Sequence, residues 1–326
     1  MNIELLVQDN NKGTIYDISK LVSDIEWSTS FEEDQPGKLT FKYADDHLAT
    51  ISEGSPISFK FDNHGIFFGY VFKRKIEKQA IREIVAYDQM RYLKNKDTYV
   101  FSNMTASQIF AKVCSDFKLK YLVRNASSYK IAARVNDDST LFEIIQHSID
   151  ETLINTSNWY MIYDNFGVLE FVNLNNLKSN LAIGDKSLLT DFEYESSIDD
   201  DTYNQVKLVK ENKDTQKREL YIVKDSSNIK KWGTLQYFET VDENANEAQI
   251  KAKADAILKL KNRTTKKLSL ECVGDIRVRA GVGVVLEISS LVDENIANMK
   301  YYIVTSCTHS FADGIHTMEL DVKASV

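Results

Sequence analysis

The chain is poor in the residue types that staple or interrupt a fold. Its 326 residues include two prolines, and its three cysteines are an odd number at wide spacing, which argues against a disulfide framework. No run of about 18 apolar residues occurs, and a membrane-spanning helix needs at least that many. We therefore expect reduced thiols, no membrane span and two or three domains that each bury their own core.

Basic residues are also in the minority. The formal net charge is −8 and the pI is near 5.3. A protein that binds nucleic acid generally neutralises phosphates with a basic face, so this balance argues against specific nucleic-acid binding. The acidic net charge does not exclude a local basic patch.

One β-rich pattern occurs twice, once near each end of the chain. In each copy a glycine turn precedes a run of alternating apolar and polar residues, as in a half-buried strand, and a hairpin follows. The first copy comprises residues 54–61, 68–74 and 81–86, and the second comprises residues 281–288, 301–309 and 315–322. The repetition predicts two related β-domains in one chain.

The segment between the two copies has a helical period. Thr105 with Gln108 and Thr140 with Glu143 have the spacing of capping boxes, and apolar residues follow each pair at helical spacing. Aromatic strands at 159–163 and 168–172 flank an Asp/Asn/Gly turn, which predicts a hairpin.

Strands return beyond about residue 190. They are expected at 191–196, 204–210, 218–224, 236–240 and 265–272, with one helix over about 245–261. The predicted class is α+β, predominantly β: a β-barrel domain over 1–93, a middle α/β domain over 94–189, and a second β-barrel domain over 190–326.

Few residues suggest chemistry. Cys307, His309 and His316 could be three metal ligands, but no fourth is evident, and ordinary hairpin pairing places them equally well. The acids at 199–201 lack the spacing of a calcium loop, and those at 32–34 fit an acidic loop better than a glycosidase pair. We therefore predict no catalytic residues, no metal and no cofactor.

Several segments resemble one known family. They are GYVFKR at 69–74, VAYDQMRYLKNKDTYVF at 85–101, TASQIF at 105–110, KWGTLQY at 231–237, NEA at 246–248, RVRAG at 277–281 and TSCTH at 305–309. Together they closely resemble the baseplate hub family of PBSX-like defective prophages, and the similarity runs over nearly the whole chain.

The resemblance implies a structural protein of a contractile tail, similar to the hubs of myophages and R-type bacteriocins. Such a hub caps the tail tube and seats the central spike, and its fold has two tube-like barrels and an extra middle domain. The implied partners are two further copies in a homotrimer, the tail tube protein, the spike, the tape-measure protein and the baseplate wedge proteins. Assembly would take place in the bacterial cytoplasm, before the protein reaches the baseplate of a phage tail or of a headless bacteriocin.

An acidic strand suggests one functional surface. Asp191, Glu193 and Glu195 alternate with Phe192 and Tyr194, which places the acids on one strand face and the aromatics on the other. The acids could line a channel, where negative charge would keep a passing polyanion from sticking. A face directed into bulk solvent is the simpler alternative.

A tail-tip protein that binds or hydrolyses peptidoglycan is the alternative function. Glu143 and Asp150 lie seven residues apart on one predicted helix, about 10.5 Å along its axis. That separation exceeds both the retaining and the inverting range of glycosidases, so a surface for partner docking is preferred.

Overall fold

The computed structural model describes residues 2–31, 35–45, 49–76, 81–199, 201–212, 217–241, 246–292, 296 and 298–324. The acids at 32–34 and Asp200 lie outside these ranges. Within them, no helix is long and apolar enough to cross a membrane.

The described residues of the N-terminal part form seven strands. Leu39, Phe41 and Tyr43 are all buried and alternate with more exposed polar residues, as in a strand that buries one face. The strands are β1 (Ile3–Gln8), β2 (Ile15–Asp17), β3 (Val22–Ser30), β4 (Lys38–Ala44), β5 (Pro56–Phe61), β6 (His64–Ile76) and β7 (Ile81–Tyr87).

The middle part mixes short strands with two helices. Its elements are β8 (Lys96–Phe101), β9 (Met104–Thr105), α1 (Ala106–Asp116), β10 (Tyr121–Val123), β11 (Lys130–Ile131), β12 (Arg134–Thr140), α2 (Leu141–Thr156), β13 (Tyr160–Asp164), β14 (Leu169–Asn173) and β15 (Lys178–Gly184). Both predicted capping boxes are confirmed: Thr105 with Gln108 begins α1, and Thr140 with Glu143 begins α2. The predicted hairpin is also confirmed, as the antiparallel pair β13 and β14.

In the C-terminal part, the described residues form the remaining strands and two more helices. They are β16 (Leu189–Ser197), β17 (Gln205–Asn212), β18 (Lys217–Lys224), α3 (Ser226–Trp232), β19 (Gln236–Val241), α4 (Glu247–Lys261), β20 (Thr265–Val273), β21 (Gly283–Glu287), β22 (Asn298–Ala312) and β23 (Ile315–Ala324). The sequence did not predict α3. Helix α4 begins after its cap Asn246, slightly later than expected.

One large sheet contains strands from both ends of the chain. Its order is β16-β20-β23-β22-β3-β4-β7-β6-β5-β1-β2, with β21 between β22 and β15 off this path. The class, predominantly β, is thereby confirmed. The described pairings form an open path, and closure of each terminal domain into its own barrel is not among them.

The chain divides into two compact units, Met1–Phe192 with Ser269–Val326, and Glu193–Leu268. In the second unit β17 lies between β18, which is antiparallel to it, and β19, which is parallel. Its core contains Val206, Leu208, Ile250 and Ala254, so α4 covers one face of this small sheet. The sequence did not predict a separate unit here, and the expected boundaries near residues 93 and 189 stay predictions.

Candidate assembly interface

The two predicted repeats share a turn of the same geometry. Gly54 has a φ of +82° and Gly281 a φ of +89°, a region that glycine adopts without the strain of a Cβ atom. The Gly54 N–H donates to the Val71 carbonyl oxygen at 2.7 Å, and the Gly281 N–H donates to the Val304 carbonyl oxygen at 2.8 Å. The same residue type thus closes the same contact at the start of each copy.

The strands that follow also match in their hydrogen bonds. The Val71 N–H returns a bond to the Ser55 carbonyl oxygen, and the Val304 N–H returns one to the Val282 carbonyl oxygen, each at 3.0 Å. The pairing of β6 with β7 shifts register after Val71, and that of β22 with β23 shifts register after Val304. A β-bulge at the same place in both copies means that the duplication extends to backbone irregularities.

The neighbouring strands repeat in the same order. The first copy runs β3-β4-β7-β6-β5 and the second runs β16-β20-β23-β22-β21. The copies diverge beyond that point, because β1 joins β5 antiparallel whereas β15 joins β21 in parallel. Strand β3 is therefore the counterpart of β16, and β6 is the counterpart of β22.

The second half of β22 joins the two repeats. Residues 306–311 pair antiparallel with residues 25–30 of β3. His309 is fully buried there, and its ring stacks on Trp27 with 5.0 Å between centroids and 16° between planes. The joint between the repeats is thus a continuous strand pair with an aromatic core.

Both ring nitrogens of His309 are occupied. Nε2 donates to the Val278 carbonyl oxygen at 2.8 Å and lies 3.1 Å from Cys307 Sγ, and Nδ1 accepts from His316 Nε2 at 2.9 Å. Burial lowers the pKa of His309 from 6.5 to about 4, so the ring is neutral at pH 7.

This arrangement does not fit a shared metal ion. Cys307 and His316 approach different nitrogens of the His309 ring, so the three side chains do not converge on one point. Among the described residues, no group of three or more His, Cys, Asp or Glu side chains could hold a metal ion. Burial raises the pKa of Cys307, which keeps it a thiol and a poor ligand.

A half-buried arginine beside the joint, Arg279, was not found from the sequence. The guanidinium of Arg279 lies 4.4 Å from the ring centroid of Tyr163 and 5.8 Å from that of Trp27, and its Nη1 donates to the Asp164 carbonyl oxygen at 2.9 Å. Burial lowers its pKa, and the carboxylates of Asp88 and Asp164 oppose that shift. The segment DIRVRAG at 275–281 carries three charged residues, and no local pattern in it singles out Arg279.

Asp88 ties this region to the N-terminal repeat. Its two carboxylate oxygens accept the N–H groups of Gly37 and Met90, each at 2.9 Å. Burial raises the pKa of Asp88, and the neighbouring Asp164 raises it further. Asp88 follows β7, Asp164 ends β13 and Arg279 precedes β21, so the network links the middle segment to both repeats.

The predicted channel residues lie on β16. Asp191, Glu193 and Glu195 are exposed, whereas Phe192 and Tyr194 between them are half-buried. The expected alternation along the strand is therefore present. Their position on a channel wall stays a prediction.

The other acidic candidates have structural partners. Asp201 forms an ion pair with Lys261. Glu143 accepts the Thr140 N–H at 2.7 Å in the capping box of α2, and Asp150 accepts from Gln146 at 2.8 Å. The Glu143 carboxylate is thereby engaged in capping the N-terminus of α2.

Comparisons with known proteins agree with these observations. A model of the YqbQ-like family matches residues 25–323. Two Bacillus subtilis proteins, YqbQ and the phage-like element PBSX protein XkdQ, are each 31% identical to this chain, and each match covers 87% of the chain and 86% of the relative. The 43 kDa tail protein of prophage MuSo2 from Shewanella oneidensis has the same fold, with a TM-score of 0.70, 14% identity and 98% of both chains covered. The chain belongs to the YqbQ-like family.

Proposed function

We propose that this chain is the baseplate hub of a contractile tail or tail-like particle. In that role it caps the tail tube and adapts the sixfold symmetry of the tube to the threefold symmetry of the central spike. Membership of a family that includes a PBSX protein, and a fold shared with a prophage tail protein, support a role in a phage-like tail.

The observation that carries the proposal is the geometric repeat within one chain. Three copies of a chain with two equivalent β-domains place six similar β-domains around an axis. The same ring contains only three identical chains. A sixfold partner and a threefold partner can then each find matching contacts. The matched glycine turns and β-bulges support treating the two β-domains as equivalent.

The proposed role requires binding surfaces and no chemistry. Its partners are two other copies of the chain, the tube, the spike, the tape-measure protein and the baseplate wedges, in a particle assembled in the bacterial cytoplasm. We propose no enzymatic activity and no cofactor. The occupied carboxylate of Glu143, held in a helix cap, supports this over peptidoglycan hydrolysis.

Copy number in purified particles tests the proposal. Mass spectrometry with isotope-labelled standard peptides should find three copies of this chain for one spike trimer. Any other ratio would refute the homotrimeric hub. A cell-wall digestion assay tests the competing function, and lysis that disappears in Glu143→Gln would favour a hydrolase.

A further inference from the structure

Comparison of the two repeats shows that, among the described pairings, one edge of β6 lacks a neighbouring strand that its counterpart β22 has. The bulges place Lys73 of β6 at the position of Ser306 in β22, so residues 73–76 correspond to residues 306–309. In β22 that segment pairs with β23 on one side and with β3 on the other. In β6 the described pairings give residues 73–76 a strand on one side only, β7, because pairing with β5 ends at Tyr70.

A matching edge lies at one end of the same sheet. Strand β16 is the counterpart of β3, and it is the outermost strand of the described order, with β20 as its neighbour. One copy of the chain therefore presents both halves of a second joint, and these halves correspond to the β22 and β3 edges that meet within the chain.

We infer that residues 73–76 of β6 pair antiparallel with β16 of a second copy of this chain. The joint repeats between subunits the contact that β22 makes with β3 inside one subunit. The inference rests on the proposed hub ring and specifies the contact that closes it. Pairing at exposed strand edges is a general route to association between chains.

The exposure of Ile76 on β6 is consistent with an edge that a strand of another chain covers. Ile76 occupies the position of the fully buried His309, yet 72% of its surface is exposed. In a single chain this apolar side chain is therefore exposed to water. A strand laid beside it would cover it, as β3 covers His309.

Charge complementarity identifies the second copy as the partner. Lys73, Arg74 and Lys75 follow one another on β6, whereas β16 carries Asp191, Glu193 and Glu195. The residues at the corresponding positions of β22 are Ser306, Cys307 and Thr308, which carry no charge at neutral pH. Opposite charge thus marks the edges that must meet between chains, where it speeds encounter and selects the correct pairing.

The β6 cations also have partners within the chain. Arg74 pairs with Glu53 at 2.7 Å, and Lys75 lies 3.5 Å from Glu83. Arg74 also donates through Nη1 to the Ile51 carbonyl oxygen at 2.7 Å. Such surface ion pairs contribute little free energy. Like-charged lysines on an open edge also discourage pairing with unrelated strands until an acidic strand arrives.

Zero-length carbodiimide cross-linking of purified particles tests the joint, because it links only amines and carboxylates in direct contact. We expect dimer and trimer bands of this chain on a denaturing gel. Peptides in those bands should connect Lys73 or Lys75 to Glu193 or Glu195. Bands whose links all lie elsewhere would overturn the inference and leave the hub proposal standing.

Charge exchange gives a second test. Reversal on β6 (Lys73→Glu with Lys75→Glu) should lower the yield of assembled particles about tenfold, and added reversal on β16 (Glu193→Lys with Glu195→Lys) should restore it. Normal assembly of the β6 reversal, or of the β16 reversal made alone, would contradict the joint. So would a combined variant that does not recover.

Lys118→Glu with Lys120→Glu is the matched control. These two exposed lysines have the same spacing and give the same change in net charge, but they lie in the middle segment. The control should assemble normally. A copy number other than three per spike trimer would instead refute the proposed function itself.

Discussion

Mild acid should destabilise the joint between the two repeats, because His309 is held there in its neutral form. Its ring is fully buried, and protonation of Nδ1 would place a new N–H against the donating Nε2 of His316. Burial lowers its pKa from 6.5 to about 4. Between these values the unfolded chain binds a proton that the folded chain does not, so the free energy of unfolding falls as the pH falls.

The size of the effect follows from the two pKa values. With 6.5 for the unfolded chain and 4 for the folded chain, proton linkage removes about 2 kcal/mol of stability between pH 7 and pH 5. The loss approaches about 3 kcal/mol as the pH reaches the folded pKa. Burial also lowers the pKa of His316, which contributes in the same direction.

Denaturation in urea, followed by tryptophan fluorescence at pH 7 and pH 5, measures this loss. Trp27 reports on the joint because it stacks on the His309 ring. The control is His309→Phe, which keeps an aromatic ring on Trp27 and removes the titrating group. The wild-type chain should lose about 2 kcal/mol more than this variant between the two pH values.

An equal pH dependence in the two proteins would refute the reasoning. So would an NMR titration that places the folded pKa of His309 near 6.5, because a buried neutral ring requires a depressed value.

Further predictions concern the glycine turns and the buried carboxylate. Gly54→Ala should destabilise the fold by about 1–2 kcal/mol through its positive φ. Gly281→Ala should cost more by thermal denaturation, because its new Cβ would also collide with Met161 Sδ; equal losses would contradict the collision. Asp88→Ala should cost about 2–4 kcal/mol, because two buried backbone N–H groups lose their acceptors, and Asp88→Asn should cost less. Equal stability of the two Asp88 variants would argue against that account.

Features set by local physics could be predicted from the sequence. The capping boxes at Thr105 and Thr140 depend on residues three apart, and the exposed and half-buried positions of β16 follow from strand alternation. The repeat was visible because a turn with positive φ favours glycine at positions 54 and 281. These signals need no knowledge of the distant chain.

Features that depend on distant contacts could not be predicted. The compact unit Glu193–Leu268 requires β17 to pair in parallel with β19 across the unpredicted α3. The environment of Arg279 depends on aromatic rings from β3 and β13, and no local pattern indicates it. The joint of β22 with β3 connects residues almost a full chain length apart, and strand propensity alone does not choose a partner over such a distance.

The most direct test of the central claim is a cryo-EM map of the intact tail, reconstructed around the hub with threefold symmetry. We expect six similar β-domains around the channel, with the N-terminal β-domain (to about residue 93) and the C-terminal β-domain (from about residue 190) in alternate positions. The two repeats should superpose on each other in that map. A ring built from one repeat alone, or a chain located away from the junction of tube and spike, would contradict the account.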